Sequence, residues 1–188
     1  MSSYNINFKR LIRKYEYLCE EMTDIQELAS AATREFNQIL LGEDRDHYEP
    51  NINVEDDDEA PEKVEMDKKY KKLFRKIVVK CHPDKISKDI TEKEALKLKE
   101  LYETTVEAYD CGDAVPMIVC AVKLEIDVSE FEDDIETIEE ACDNIQKYID
   151  EIQSTSAWFY TYMCKTEKEK EEFIKKFLEL TKNKKLGL

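Results

Sequence analysis

The side chains that could do chemistry in this 188-residue chain gather around one tripeptide, His82-Pro83-Asp84. An imidazole beside the thiol of Cys81 suggests a nucleophilic Cys–His pair. However, adjacent side chains on a helix diverge, and Cys81 falls on the apolar stripe of the helix that precedes the tripeptide. Glycine-rich phosphate-binding loops and activated serines are absent from the sequence. We therefore predict that the chain is not an enzyme and that His82 and Asp84 are recognition groups.

Cysteine is the other residue type that could bind a metal or react. The six cysteines are far apart and form no CxxC pair: Cys19, Cys81, Cys111, Cys120, Cys142 and Cys164. Only two histidines are present, and neither lies at ligand spacing from a cysteine pair. We predict reduced thiols that are mostly buried, an intracellular location, no metal and no cofactor.

A basic amphipathic helix is predicted immediately before the tripeptide. Between Lys68 and Lys88 there are nine lysines and arginines and one acid. Apolar residues recur here at intervals of three and four positions, which is typical of a helix with one buried stripe. They are Met66, Tyr70, Leu73, Phe74, Ile77 and Cys81. The opposite face gathers Lys68, Lys72, Arg75, Lys76 and Val79. Pro83 ends this helix, because its ring disfavours the α conformation at His82, and the tripeptide is therefore displayed on a loop.

Residues 70–85 resemble helix II and the signature loop of the J-domain (DnaJ) family, in which a basic helix ends in K-Y-H-P-D-K. Here residues 80–85 read K-C-H-P-D-K, with cysteine in place of the aromatic residue. Residues 101–109 resemble the third helix of the family. The similarity covers about Asp67 to Asp113. The first helix of the family is not found just upstream, so the three-helix core either uses the N-terminal helix or lacks that element.

The resemblance implies a co-chaperone that stimulates ATP hydrolysis by a DnaK-type chaperone. It implies that Asp84 accepts a hydrogen bond from an arginine of the chaperone, while His82 and Pro83 hold the loop in shape. The cations of the helix would meet an acidic groove and speed the encounter. The implied chaperone-binding residues are His82, Pro83, Asp84, Lys68, Lys72, Arg75, Lys76 and Lys85. The long flanking helices resemble those of J-domain proteins from large DNA viruses, which implies the host cytoplasm.

Long amphipathic patterns and the scarcity of glycine and proline predict an all-α protein. We divide it into a long N-terminal coiled-coil helix (1–41), an acidic linker (42–66), a J-like domain (67–113) and a C-terminal helical region (114–188). One coiled-coil seam runs through residues 8–39 and a second through 131–152. The two seams pack on each other in one interpretation, and the first forms a homodimer in the alternative.

Local signals predict where the helices begin and end. Capping residues at the start of a helix are Thr91, Asp113, Ser129 and Thr166, and the corresponding helices run to about Asp110, Ile126, Ile152 and Lys182. Thr23 offers a break in the N-terminal helix. The aromatic stretch 158–163 either closes the hairpin between the last two helices or forms a platform for a client or partner.

The net charge of −15 argues against nucleic acid or an anionic membrane as the main partner. No apolar run is long enough to span a bilayer and the N-terminus lacks the apolar core of a signal peptide, so we expect a soluble, cytoplasmic protein. The acidic linker is either a solvated connector or a competitor for the partner of the basic helix.

Two alternatives stay open for the central motif. His82-Pro83-Asp84 is a helix-ending turn without a partner if the protein is a helical scaffold or assembly component. In the second alternative, the basic face binds nucleic acid or another acidic protein. One helix of lysines, however, offers only a small binding surface for nucleic acid.

Overall fold

The structure is a computed structural model of the chain and describes residues 6–43, 66–85 and 90–185. These residues form helices and connecting turns, without a strand among them, so the predicted all-α class is confirmed. Most of the acidic linker and residues 86–89 lie outside the described ranges. Within those ranges, no helix combines the length and the apolar character that crossing a membrane requires.

The described part of the chain contains α1 (Ile6–Glu43), α2 (Lys68–Cys81), α3 (Glu92–Cys111), α4 (Ala114–Lys123), α5 (Ile135–Gln153), α6 (Ser156–Trp158) and α7 (Glu167–Lys185). Short 3-10 turns form at Pro83–Lys85 and Ser129–Phe131. A π-helical segment, Phe159–Met163, continues α6.

The chain folds into two compact units, each of which is discontinuous in sequence. Unit 1 comprises Met1–Tyr17 and Asp56–Asp143, and unit 2 comprises Leu18–Glu55 and Asn144–Leu188. Both α1 and α5 therefore contribute residues to each unit. The four segments predicted from composition follow the sequence instead, and their boundaries stay a prediction.

Three consecutive helices, α2, α3 and α4, pack on one another in unit 1. The first two contribute the buried residues Leu73, Ile77, Cys81, Thr105 and Ala108. α4 is apolar on nearly every side, as a helix surrounded by protein must be, and its buried residues are Val115, Met117, Ile118, Val119, Cys120 and Ala121. The third helix of this core thus comes from downstream. Whether the N-terminal helix also completes a J-like core, or that core lacks its first helix, stays a prediction.

The first turns of α1 also belong to unit 1. Phe8 and Ile12 are 1% and 2% exposed. They line a cavity of about 370 Å³ together with Ile126 and Val128 from the segment after α4. Removing such apolar side chains from water stabilises the folded state by roughly 1.5 to 3 kcal/mol each.

α1 is continuous and half of its ten predicted seam positions are buried, while the coiled coil itself stays a prediction. Five seam residues are buried, Phe8, Leu18, Ile25, Ala32 and Phe36, and Ile12 and Leu40 join them from the neighbouring stripe. The predicted break at Thr23 does not form, because its hydroxyl donates to the carbonyl of Cys19 at 3.0 Å inside the helix. The pairing of the two seams and the homodimer stay predictions.

Aromatic packing dominates the core of unit 2. The ring of Phe36 lies 5.4 Å from that of Tyr160 and 5.2 Å from that of Phe177. Tyr160 also contacts Phe173 of α7 at 6.4 Å between ring centroids. Residues of the stretch 158–163 therefore pack against α1 and α7, and their role in closing the hairpin between the last two helices stays a prediction. Phe159 remains 46% exposed.

Three of the predicted helix starts are confirmed by their hydrogen bonds. Thr91 and Glu94 form a capping box at α3, with the Glu94 amide donating to the Thr91 hydroxyl at 3.3 Å. Thr166 and Glu169 make the same reciprocal pair before α7. Asp113 accepts a 3.0 Å hydrogen bond from an amide in the first turn of α4. Each cap satisfies amides that have no partner within the helix.

The predicted start at Ser129 is wrong. Its amide donates to the carboxylate of Asp127 at 3.1 Å, and Ser129 begins only a 3-10 turn. The α-helix starts later, at Ile135. The sequence pattern of a capping box is present here. However, the Ser129 amide that Glu132 would bind in a capping box donates to Asp127 instead.

α4 ends at Lys123, earlier than predicted, in a Schellman turn. The amide of Ile126 donates to the carbonyl of Ala121 at 2.9 Å. The amide of Glu125 donates to the carbonyl of Val122 at 3.0 Å. Glu125 occupies the left-handed region with φ of 54°, where glycine is the usual residue.

Replacing Glu125 with glycine is expected to stabilise the protein by about 0.5 to 1 kcal/mol. A side chain in the left-handed region is strained by about 1 to 2 kcal/mol, and the extra freedom of glycine in the unfolded chain offsets part of the gain. Urea denaturation measures the difference. The control is Glu103→Gly within α3, which should destabilise the protein by about 1 kcal/mol. A loss of stability in Glu125→Gly would contradict the prediction, because the contacts of the Glu125 side chain would then outweigh its backbone strain.

Candidate docking site on a basic helix

The candidate site is built on α2, whose two faces differ as the sequence predicts. Leu73, Ile77 and Cys81 are 0 to 1% exposed and hold the helix in the core of unit 1. The ring of Phe74 stacks on Tyr109 of α3 with 4.1 Å between centroids. The opposite face carries only exposed residues, namely Lys68, Lys72, Arg75, Lys76 and Val79. Val79 is 59% exposed in the middle of the cations.

The tripeptide forms a compact turn at the end of α2. The amide of His82 donates to the carbonyl of Val78 at 2.9 Å and closes the last turn of the helix. The amide of Lys85 then donates to the carbonyl of His82 at 2.8 Å, which closes the 3-10 turn Pro83–Lys85. Because both ends of the turn are hydrogen-bonded, the backbone presents Asp84 from a defined position.

The imidazole of His82 supports the turn from inside. Its Nδ1 accepts a 3.2 Å hydrogen bond from the amide of Asp84, and its ring meets Tyr102 of α3 edge-on at 5.2 Å. The carboxylate of Asp84 lies 3.7 Å from the same nitrogen. The Asp84 side chain is 88% exposed.

The structure thus brings the predicted recognition residues to one end and one face of the same element. His82 is half-buried, whereas the other residues of the set, Pro83, Asp84, Lys85, Lys68, Lys72, Arg75 and Lys76, are exposed. The face of α2 and the tip of the turn can therefore be reached together by a partner that lies along the helix.

A second element at this site was not predicted. Residues 124–134, here called the acidic connector, join α4 to α5 and contain six acids and no lysine or arginine. Asp134, at its end, binds Lys69 of α2 through both carboxylate oxygens, at 2.6 and 2.8 Å. The hydroxyl of Tyr70 donates to the same carboxylate at 2.8 Å. The Tyr70 ring stacks on Phe131 of the connector at 5.5 Å.

This contact shifts the pKa of Lys69 and of Tyr70. The hydrogen bond with Asp134 raises the pKa of Lys69, although partial burial opposes the shift. Burial raises the pKa of Tyr70, and its bond to Asp134 acts in the same direction. At neutral pH the lysine is therefore charged and the phenol is protonated, so both donate to the carboxylate. The Asp134 side chain is only 14% exposed, which partly shields this ion pair from water.

Further along α2 the connector makes weaker contacts. The carboxylate of Glu130 lies 3.3 Å from the ammonium of Lys72, and both side chains are about half exposed. The ammonium of Lys80 donates to the backbone carbonyl of Leu124 at 2.7 Å. Between these contacts an open groove of about 560 Å³ runs along α2 and is lined by Lys72, Arg75, Lys76, Val79, Lys80, Ile126 and Asp127.

The described residues contain no group of three side chains that could hold a metal ion. No disulfide joins any of the six cysteines, all of which lie in the described ranges; four of them are buried, Cys111 is exposed and Cys19 is half-buried. Burial raises the pKa of Cys81 and of Cys120, which keeps both thiols protonated and weakly nucleophilic.

Sequence reasoning missed the contacts of Lys69, Tyr70 and Lys80 with the connector. Tyr70 was placed on the buried stripe, and its ring does pack, but its hydroxyl binds an acid 64 residues away. The available signal was compositional, since the run of acids in residues 125–134 has no basic residue to balance it.

Comparison with known proteins gives no relative: no protein-family model, curated protein or solved structure matches this chain.

Proposed function

We propose that this chain is a J-domain co-chaperone of the cytoplasm. It docks on a DnaK-type ATPase chaperone through the basic face of α2 and the turn of His82, Pro83 and Asp84. It stimulates ATP hydrolysis by the chaperone and performs no catalysis itself. The observation that carries the proposal is the carboxylate of Asp84, 88% exposed at the tip of a hydrogen-bonded turn that ends a basic helix.

The chemistry of this arrangement suits recognition of a guanidinium group. A carboxylate accepts two parallel hydrogen bonds from the planar fork of an arginine, and such charge-assisted bonds are about twice as strong as neutral ones. The turn holds the backbone of Asp84 on both sides, through Lys85 and His82. Binding then orders few additional torsions, and more of the interaction energy is available to select one conformation of the chaperone.

The cations of α2 have a different task in this proposal. Lys68, Arg75 and Lys76 are exposed and surrounded by water, so each contact with an acidic groove contributes little free energy. Their summed field accelerates the encounter and orients the two proteins. The proposal therefore predicts separate roles, with the cations controlling association and Asp84 controlling the response of the ATPase.

The test is the steady-state ATPase rate of a DnaK-type chaperone titrated with the purified protein. We expect a several-fold stimulation that saturates, and a half-saturating concentration that rises as the salt concentration is increased from low to physiological values. An unrelated acidic helical protein, added at the same concentrations, is the control. A rate that stays at the level of the chaperone alone at every concentration would contradict the proposed function.

A second candidate is a helical scaffold in which the α2–α3 hairpin is structural only. The observation that favours it is that Lys69, Lys72 and Lys80 of α2 already contact the protein's own connector. In that case the basic residues hold α2 against the connector, and the chaperone ATPase does not respond to the wild-type protein.

A further inference from the structure

The acidic connector occupies part of the face that the proposed function assigns to the chaperone. Its six acids lie in the same segment as three apolar anchors, Ile126, Val128 and Phe131, which are 7%, 1% and 1% exposed. These anchors hold the connector next to α2. Because Val128 and Phe131 flank Glu130, the anchors keep its carboxylate close to Lys72. The effective concentration of this carboxylate at the lysine is therefore high.

We propose that the acidic connector is an intrachain competitor for the basic face of α2, and that an acidic partner must displace Glu130 from Lys72 to bind there. This inference rests on the proposed function for the identity of the partner. The competition itself does not depend on the proposed function, because any polyanion that binds Lys72 must compete with the carboxylate of Glu130.

The two ends of the connector differ in how readily they can be released. Asp134 is 14% exposed and shared by Lys69 and Tyr70, so its displacement would leave a shielded ammonium without its carboxylate. Glu130 is 49% exposed and makes one contact at 3.3 Å with Lys72. The competitor is therefore tethered at Asp134 and at its apolar anchors, while the more exposed Glu130 can exchange between Lys72 and water.

The size of the effect follows from the exposure of the pair. An exposed ion pair contributes about 0.2 to 1 kcal/mol, which corresponds to a change of about 1.5- to 5-fold in affinity. Competition of this strength sets a threshold for weak acidic partners without blocking a partner that also binds Asp84. It disappears at high salt, where the ion pair is screened.

The experiment compares wild type, Glu130→Gln and Asp133→Asn. Both substitutions remove one negative charge from the connector, but the exposed Asp133 makes no ion pair with α2 among the described residues, so it controls for net charge. Two ligands are titrated against each variant at low salt and at about 0.5 M salt, where the Debye length falls below about 5 Å. One is a fluorescent poly-glutamate peptide and the other is a DnaK-type chaperone.

At low salt we expect Glu130→Gln to bind poly-glutamate about 2- to 5-fold more tightly than wild type, with Asp133→Asn close to wild type and no difference at high salt. Equal affinities of Glu130→Gln and wild type for poly-glutamate would overturn the inference, as would an equal gain in Asp133→Asn. If poly-glutamate binding rises in Glu130→Gln but no variant binds the chaperone, the inference holds and the proposed function fails.

Discussion

Replacing Asp84 with asparagine is expected to abolish stimulation of the chaperone ATPase and to leave the fold unchanged. The substitution keeps the size of the side chain but removes the charge and one of the two equivalent acceptor oxygens, so a bidentate bond with a guanidinium is lost. Truncating a charge-assisted contact of this type weakens a complex by about 2 to 5 kcal/mol. The side chain is 88% exposed and its carboxylate supports no helix, so stability should change by less than about 0.5 kcal/mol.

The measurement is the ATPase rate at saturating wild-type concentration, together with thermal unfolding of each variant. Asp110→Asn is the matched control, because it removes one exposed acid at the far end of α3 and leaves the turn intact. We expect Asp110→Asn to stimulate like wild type. Full stimulation by Asp84→Asn would contradict the assigned role of the carboxylate, and the basic face alone would then have to explain any stimulation.

Replacing Ile118 with alanine is expected to destabilise unit 1 by about 2 to 5 kcal/mol, the range for truncating a fully buried isoleucine. Ile118 is 1% exposed in α4, and α4 packs on both α2 and α3. The cavity removes contacts from the element that completes the three-helix core. Because the total stability of a domain is typically about 5 to 15 kcal/mol, a loss of this size should also loosen the turn that follows α2.

Urea denaturation gives the free energy of unfolding, and hydrogen exchange of the α2 amides shows whether the loss reaches the docking helix. The control is Val122→Ala on the same helix, where the side chain is 38% exposed and the expected loss is below about 1 kcal/mol. If Ile118→Ala leaves exchange in α2 unchanged, the hairpin of α2 and α3 is stable without α4. That result would contradict the stabilising role assigned to α4 in this core.

Local signals in the sequence predicted local structure correctly where nothing nearby competed for the same hydrogen bond. Thr91 and Thr166 cap their helices as the pattern indicates, and Pro83 ends α2. In each case the residues that decide the outcome lie within four positions of one another. The same pattern failed at Ser129, because the adjacent Asp127 accepts its amide hydrogen and a 3-10 turn forms instead.

The candidate site was predictable in one respect and not in another. Helical periodicity placed Arg75 and Lys76 on the exposed face, because burial of Leu73 and Ile77 fixes the rotation of α2 about its axis. The acid that meets Lys69 could not be predicted, since Asp134 is one of many acids and is 65 residues away. A net charge of −15 offers each lysine many candidate partners, and only the fold selects among them.

The discontinuity of unit 1 has a consequence during protein synthesis. Phe8 and Ile12 leave the ribosome early, yet Ile126 and Val128, which line the same cavity in unit 1, are added more than a hundred positions later. At 5 to 20 residues per second this interval lasts on the order of 5 to 20 s. Throughout it the apolar stripe of the nascent α1 is open to water and to any chaperone at the ribosome exit. We therefore expect the first turns of α1 to find their packing partners in unit 1 only after residues 126–128 have been made.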